Sequence, residues 1–312
     1  MNTQEMKEYI KRIICSEYGM SAFAVIKKDD VFSLKKFILD DKLSSKVTDM
    51  LKTILDNQFL CDTAELDQAE NIDDERKVFY EIPQTTEYSP FAFLNTYGEI
   101  SDKYSEGDVD DLLGFAFKLN VNDTYFWIYQ QVNYPQLIKK SKNIYAIISG
   151  GVYTSLKKDI LKIERKVDCL IIGTSIITKK IELLQRVFQF ETFVRGEAQK
   201  TIQYISEMEI VTGVDKFLLL ADKKALTNAK KLYKAKNSPV LRMKKDVLLE
   251  KLRTLPRYKG TFEITEGRIQ INNQKQATAF LKMLNDSILK SELTDAEYDS
   301  TVKKELAPIE KA

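Results

Sequence analysis

Between Lys216 and Lys259 the chain carries 14 Lys/Arg and only three acidic residues, Asp222, Asp246 and Glu250, a net charge of +11. Within this window Lys223, Lys230 and Lys234 stand seven and then four residues apart. That spacing aligns them along one face of a helix, with Lys224 and Lys231 beside them. Leu226, Ala229, Leu232 and Tyr233 supply apolar cover. Arg242, Lys244 and Lys245 follow across a turn containing Pro239, and then Lys251, Arg253, Arg257 and Lys259. Cationic groups in such an array match the phosphates of a nucleic acid, whose neutralisation releases counterions and drives binding. Lysine outnumbers arginine here, which favours backbone contact over base reading, because bidentate recognition of guanine is an arginine property. The expected phosphate contacts are Lys223, Lys224, Lys230, Lys231, Lys234, Lys244 and Lys245, with Arg242 able to hold a phosphate through two N–H donors. The competing explanation is a solvated helix face that needs no ligand.

A second constellation is Asp159 with Glu164-Arg165-Lys166, an acid followed by an E-x-K triplet on an expected strand. A Mg²⁺-dependent nuclease uses such carboxylates as metal ligands and the Lys to stabilise developing charge. Triplets of this kind arise by chance in a chain with 30% charged residues. The two acids are also too close in sequence for the usual strand–turn–strand separation, so outward-facing strand charges are the simpler expectation.

The chain has no histidine. Ser-His-Asp and Cys-His hydrolases, His-ligated nucleases and HExxH proteases are thereby excluded. Neither GxxxxGK[ST] nor GxGxxG occurs, and Ser149-Gly150-Gly151 reads as a strand-end turn. No catalytic residue, cofactor or metal site is assigned. The aromatic run Phe115, Phe117, Tyr125, Phe126, Trp127 and Tyr129 has rings suited to base stacking, but sheet core is the expected role.

These groups must be carried by an α+β chain of 312 residues. Helical spacing covers Thr3–Glu17 and Leu43–Leu55. Phe23–Lys28 and Phe32–Leu39 form a hairpin around Lys28-Asp29-Asp30, and Lys77–Ile82 is a strand. Asp62–Glu75 is acidic and reads as an exposed loop. Phe115–Val121 and Tyr125–Gln131 alternate about Asn122-Asp123, and strand character continues through Ile144–Ser149, Ile160–Arg165, Val167–Gly173 and Ser175–Thr178. A mostly antiparallel sheet is expected. From Lys179 the period changes to helical, through Ile181–Phe188, Ala198–Met208, Lys223–Lys236, Lys245–Leu255 and Gln276–Leu289. A hairpin turns at Glu266-Gly267, and Thr294-Asp295-Ala296-Glu297 has capping-box spacing for a last helix. The expected domains are a β-rich, acidic-to-neutral 1–178 and a mainly helical, basic 179–312.

The overall charge of +2 hides an asymmetry: residues 1–112 hold 13 Lys/Arg against 24 Asp/Glu, a net −11, and residues 113–312 hold 35 against 22, a net +13. A difference of this size points to an anionic partner for one half, or to attraction between halves or between two copies. Cys15, Cys61 and Cys169 form no CxxC pair; each is expected to be a small buried hydrophobe, in keeping with a reducing cytoplasm. Residues 1–20 carry Glu5, Lys7, Glu8, Lys11 and Arg12 and read as no secretory leader, and no run reaches the ~20 apolar residues of a membrane span.

Leu161-Lys162-Ile163 with Val167-Asp168, the Ile176-Ile177 strand and Val187-Phe188-Gln189-Phe190-Glu191 form a pattern that resembles the KwaB-like family of bacterial proteins. Lys230-Lys231-Leu232, Asn237-Ser238-Pro239-Val240-Leu241, Tyr258-Lys259-Gly260, Phe280–Asp286 and Leu289–Thr294 extend it, over roughly residues 110–300. The resemblance implies the soluble component of the Kiwa antiphage defence system. It implies a DNA-binding effector that forms a homodimer and is held at the inner membrane by a small transmembrane partner, KwaA. Such a protein binds incoming phage DNA and obstructs its replication and transcription. The resemblance carries no catalytic motif onto these residues, and the lysine face is assigned from the residues alone. A Mg²⁺-dependent nuclease built on Asp159, Glu164 and Lys166 is the enzymatic rival. A scaffold binding only protein or anionic lipid is the third possibility.

Overall fold

The structure is a computed structural model. It describes residues 1–15, 19–69, 78–121, 124–133, 137–138, 146–149, 152–155, 160–222, 226–255, 258, 260–285, 288–290 and 297–299. The chain divides into two compact units, Met1–Gln68 with Lys77–Leu183, and Ala69–Arg76 with Leu184–Ala312.

The first unit runs α1 (Thr3–Cys15), β1 (Gly19–Lys28), β2 (Val31–Lys36), α2 (Asp41–Phe59), β3 (Leu66–Gln68), β4 (Phe79–Pro83), β5 (Leu112–Val121), β6 (Thr124–Gln131), β7 (Leu137–Ile138), β8 (Ala146–Ser149), β9 (Val152–Ser155), β10 (Ile160–Leu161), β11 (Cys169–Ile172) and β12 (Ser175–Thr178). Eight of these strands form one sheet in the order β2-β1-β5-β6-β11-β12-β4-β3. Its neighbours are antiparallel except β3 and β4, which run parallel. β7 pairs with β10, and β8 with β9.

Strand alternation gives the sheet two faces. Phe115, Phe117, Leu119, Phe126 and Ile128 share a core with Met6, Ile10 and Ile13 of α1 and Val47, Leu51, Leu55 and Phe59 of α2. Burying each such side chain contributes about 1.5–3 kcal/mol. Over the opposite face, the Phe91 ring lies 5.3 Å from Tyr129, and Tyr97, in the 3₁₀ turn Ala92–Glu99, lies 5.7 Å from Trp127. The β1–β2 hairpin closes through Asp29 and Asp30 at φ 48° and 61°, the left-handed pair of a primed turn whose twist matches its strands. α2 starts where Asp40 Oδ1 accepts the Leu43 N–H at 2.7 Å.

The expected exposed loop over Asp62–Glu75 is corrected at Leu66–Gln68, which is strand β3 paired with Phe79–Glu81. Main-chain pairing along a sheet edge needs no apolar run, so the acidic composition hid it. Gln68 also donates to Glu81 at 2.8 Å, beside the Met1 amine at 2.9 Å and Ser175 Oγ at 2.5 Å.

α3 (Ile181–Val187) spans the division. The second unit continues with α4 (Phe190–Glu207), β13 (Val211–Thr212), α5 (Asp215–Ala221), α6 (Thr227–Ala235), a 3₁₀ turn at Pro239–Arg242, α7 (Lys245–Thr254), β14 (Glu263–Thr265), β15 (Arg268–Gln270), α8 (Gln274–Leu284), β16 (Ile288–Lys290) and β17 (Glu297–Asp299). α4 packs on α6 and α5, and α8 packs on α5, α6 and the 3₁₀ turn. Phe217 and Phe280 meet at 5.7 Å, as do Phe193 and Tyr233. The hairpin β14–β15 turns at Glu266 and Gly267, φ 53° and 71°. β13 joins it in parallel, making a three-stranded sheet rather than a lone hairpin.

The last helix expected from the Thr294 capping box is also corrected. Glu297–Asp299 is strand, paired antiparallel with Ile288–Lys290, so main-chain pairing overrides the local signal. Residues 294–296 lie outside the described residues. The whole is α+β, its larger sheet mostly antiparallel.

Candidate nucleic-acid interface

α6 begins at Thr227 with Leu226 at its N-cap position, so it is shorter than the expected Lys223–Lys236 helix. The reason lies upstream. Asp215–Ala221 forms its own helix, α5, which buries Phe217, Leu220 and Ala221 and ends at Asp222. Lys223 and Lys224 lie outside the described residues.

Within α6, Ala229, Leu232, Tyr233 and Ala235 are buried. At 3.6 residues per turn, Lys230, Lys234 and Lys231 fall within an arc of about 100° on the other side. All three are half-buried, as suits lysines whose stems lie along a helix surface. Asn285 Nδ2, at the end of α8, donates to the Lys231 carbonyl at 3.0 Å and fixes this part of α6.

Arg242, Lys244 and Lys245 sit on different elements. Ser238 Oγ accepts the Val240 N–H at 3.2 Å, starting the 3₁₀ turn that ends in Arg242. Lys244 is the N-cap residue of α7 and Lys245 its first residue. Arg242 and Lys244 are exposed. Lys245 is half-buried, and its Nζ donates to the Glu209 carbonyl at 3.3 Å. Arg268, which sequence reasoning missed, lies 3.2 Å from the Glu209 carboxylate. The structure therefore brings Lys230, Lys231 and Lys234 together on one helix face. It places Arg242, Lys244 and Lys245 on a turn and a following helix, with Lys245 already engaged.

The E-x-K constellation is a closed ion-pair network. Glu164 lies 3.2 Å from both Lys162 and Lys166. Hydrogen bonds from Lys166 and Lys162 hold the Glu164 carboxyl below the usual carboxylate range. Lys166 also reaches Asp168 at 3.6 Å. The Asp168 side chain, 1% exposed, takes Lys180 at 2.5 Å and the Gln131 N–H at 2.8 Å. Gln130 Nε2 donates to the carbonyls of Glu164 and Lys166, at 2.6 and 2.9 Å, and pins the segment to β6. Asp159 lies outside the described residues. Among the described residues, no group of three or more His, Cys, Asp or Glu could hold a metal ion.

Phe115, Phe117, Phe126, Trp127 and Tyr129 are core, but Tyr125 is 44% exposed. Beside it, Lys118 is buried at 7% exposure. Sequence reasoning passed over this lysine because a single charge in an alternating strand reads as outward-facing. Cys169 is buried, whereas Cys61 is half-buried and Cys15 exposed, which corrects the expectation for Cys15: it ends α1 and turns off the core. Among the described residues, no helix is long and apolar enough to cross a membrane.

The family model described as Kiwa protein KwaB-like matches residues 109–294, more than half of the chain. The Kiwa protein KwaB of Escherichia coli O55:H7 (strain RM12579 / EPEC) is 20% identical, over 98% of this chain and 99% of that protein. No solved structure matches the chain.

Proposed function

The chain belongs to the Kiwa protein KwaB-like family, and from that premise we propose that it is an antiphage defence protein that binds DNA without regard to sequence. The observation that carries the DNA reading is the arc of Lys230, Lys231 and Lys234, backed by the buried face of α6. Point charges presented from a packed helix suit phosphate contact and carry no base code, so one surface serves against any phage genome. Arg242 and Lys244, both exposed, extend the cationic surface on their own elements. Bound along the duplex, such a protein obstructs replication and transcription by occupancy.

The action proposed is obstruction rather than cleavage. Lys162, Lys166 and Lys180 pair with Glu164 and Asp168, which leaves these carboxylates poorly placed to gather Mg²⁺. The proposal includes a homodimer, and recruitment to the inner membrane by a transmembrane partner of the KwaA kind.

Charge reversal of Lys230, Lys231 and Lys234 tests the assignment. Loss of duplex affinity together with a shallower salt dependence is expected. Unchanged affinity and slope would remove these residues from the interface. Incubation with plasmid and Mg²⁺ separates the enzymatic alternative: nicking that Glu164→Gln abolishes would establish a nuclease. Failure to bind DNA at low salt, with stable co-purification of a membrane protein, would indicate a scaffold.

A further inference from the structure

β5 carries a lysine in the middle of a buried sheet face. Lys118 is paired across strands with Ser21 of β1 and Trp127 of β6, so the three share the face opposite Phe117 and Leu119. Its Nζ lies 3.5 Å from the ring centroid of Tyr97 and 4.5 Å from that of Tyr125. Among the described residues, no carboxylate or carbonyl takes a hydrogen bond from this ammonium. The buried ions Glu81 and Asp168, by contrast, have charged partners within 3 Å. Ring faces offset part of the cost of burying a cation. They do not replace an anion, and a buried charge left without one is costly.

The residues around it open to solvent. Tyr125 is 44% exposed. Ser21 and Asn120 are exposed on the same face, Asn120 directly across from Tyr125. At Gly19 and Gly98 an added Cβ would meet nothing within 4 Å. The site thus offers one cation, a hydroxyl, an amide and a flat ring with an open side.

A lysine ammonium is a point-charge binder of phosphate, and an exposed tyrosine ring stacks any nucleobase. A DNA strand fits poorly, because its backbone calls for a row of cations and this site has one. Residues 1–112, which supply Ser21 and Tyr97, also carry a net −11 that repels a polyanion. We infer that Lys118, Tyr97 and Tyr125 form a binding site for a single mononucleotide, with its phosphate on Lys118 and its base against Tyr125. This site is independent of the lysine face on α6.

Trp127 is the chain's single tryptophan and lies directly across from Lys118, 5.7 Å from Tyr97, so its emission reports on the site. The full chain is titrated with AMP, CMP, adenosine and inorganic phosphate, following Trp127 fluorescence and binding heat. Either mononucleotide should bind at least about tenfold more tightly than adenosine or phosphate alone. Lys118→Met, which keeps the apolar stem, should weaken binding by about tenfold or more, and Tyr125→Ala by roughly tenfold. Reversing Lys230, Lys231 and Lys234 should change nothing. If neither AMP nor CMP binds at roughly millimolar concentration, the inference fails. It also fails if phosphate or adenosine binds as tightly as the nucleotides, or if Tyr125→Ala binds as the parent does. Should Lys118→Met melt below the parent, Tyr125→Ala, altered at an exposed ring, decides alone.

Discussion

Lys236 Nζ lies 3.2 Å from Glu197 Oε2 and 4.3 Å from the ring centroid of Tyr233. Lys236, the C-cap residue of α6, is therefore turned onto α4, away from the arc of Lys230, Lys231 and Lys234. Lysines within a few residues of one another thus have different environments, and this separates them experimentally. Each lost phosphate contact lowers the slope of log affinity against log salt by about 1. Gln at Lys230, Lys231 and Lys234 together should lower it by roughly 3. Lys236→Gln should move it by well under 1. Equal effects from both variants would show diffuse charge rather than a defined face.

Asp168 anchors the network that a nuclease would have needed open. Its carboxylate is 1% exposed and holds Lys180 and the Gln131 N–H. Removing it orphans the Gln131 N–H and part of the Lys166 charge, whereas Lys180, 53% exposed, stays solvated, so the cost is about 1–3 kcal/mol. Asp168→Ala should lower stability in urea by that amount, followed through Trp127, which pairs with Ile171 in the same sheet. A loss below about 1 kcal/mol would mean that the network is solvated and weak.

Glu81 sets an acid limit on the first unit. Burial alone raises its pKa, but hydrogen bonds from Ser175, Gln68 and the Met1 amine outweigh burial and hold it below the ordinary carboxylate value. A depressed folded-state pKa gives stability that is fully present above the unfolded-state value and lost as pH falls through the folded one. Glu81→Gln should therefore flatten the decline in stability below pH 4.5, the ordinary value of the group. The check is denaturant unfolding at a series of acid pH values; a decline of unchanged steepness would contradict the role.

Gly213 and Gly260 separate two costs of adding a methyl group. Both have positive φ, 75° and 79°. At Gly213 a Cβ would sit 2.1 Å from the Ile271 carbonyl oxygen, whereas at Gly260 it meets nothing within 4 Å. Gly260→Ala should cost about 1–2 kcal/mol, the left-handed penalty alone. Gly213→Ala should cost about 1–3 kcal/mol more, because backbone must move to clear the contact. Thermal unfolding of the two variants checks the order, and a reversed order would contradict the close approach of Gly213 to Ile271.

Elements with strong periodicity were legible in the sequence. Phe115 to Val121 alternates because one sheet face packs on α1 and α2, and Val47, Leu51 and Leu55 repeat because α2 buries one stripe. Pairings that live in the main chain left no pattern to read. Leu66–Gln68 and Val211–Thr212 are too short for a period, and Glu297–Asp299 follows a helix-start signal that strand pairing overrides. The lysine face was legible for Lys230, Lys231 and Lys234 because it lies within one helix. Arg242, Lys244 and Lys245 were not resolvable as a group, since sequence spacing fixes no geometry across a turn. Lys118 was passed over as a single charge in an alternating strand, and Tyr97, the ring nearest its ammonium, comes from outside that hairpin.

The most direct measurement is the affinity of the purified protein for a random-sequence DNA duplex at several salt concentrations. Phosphate-backbone binding predicts a steep, linear fall of log affinity with log salt, indifferent to the sequence of the duplex. No binding at low salt, or affinity that salt leaves unchanged, would contradict a DNA-binding role for the lysine face.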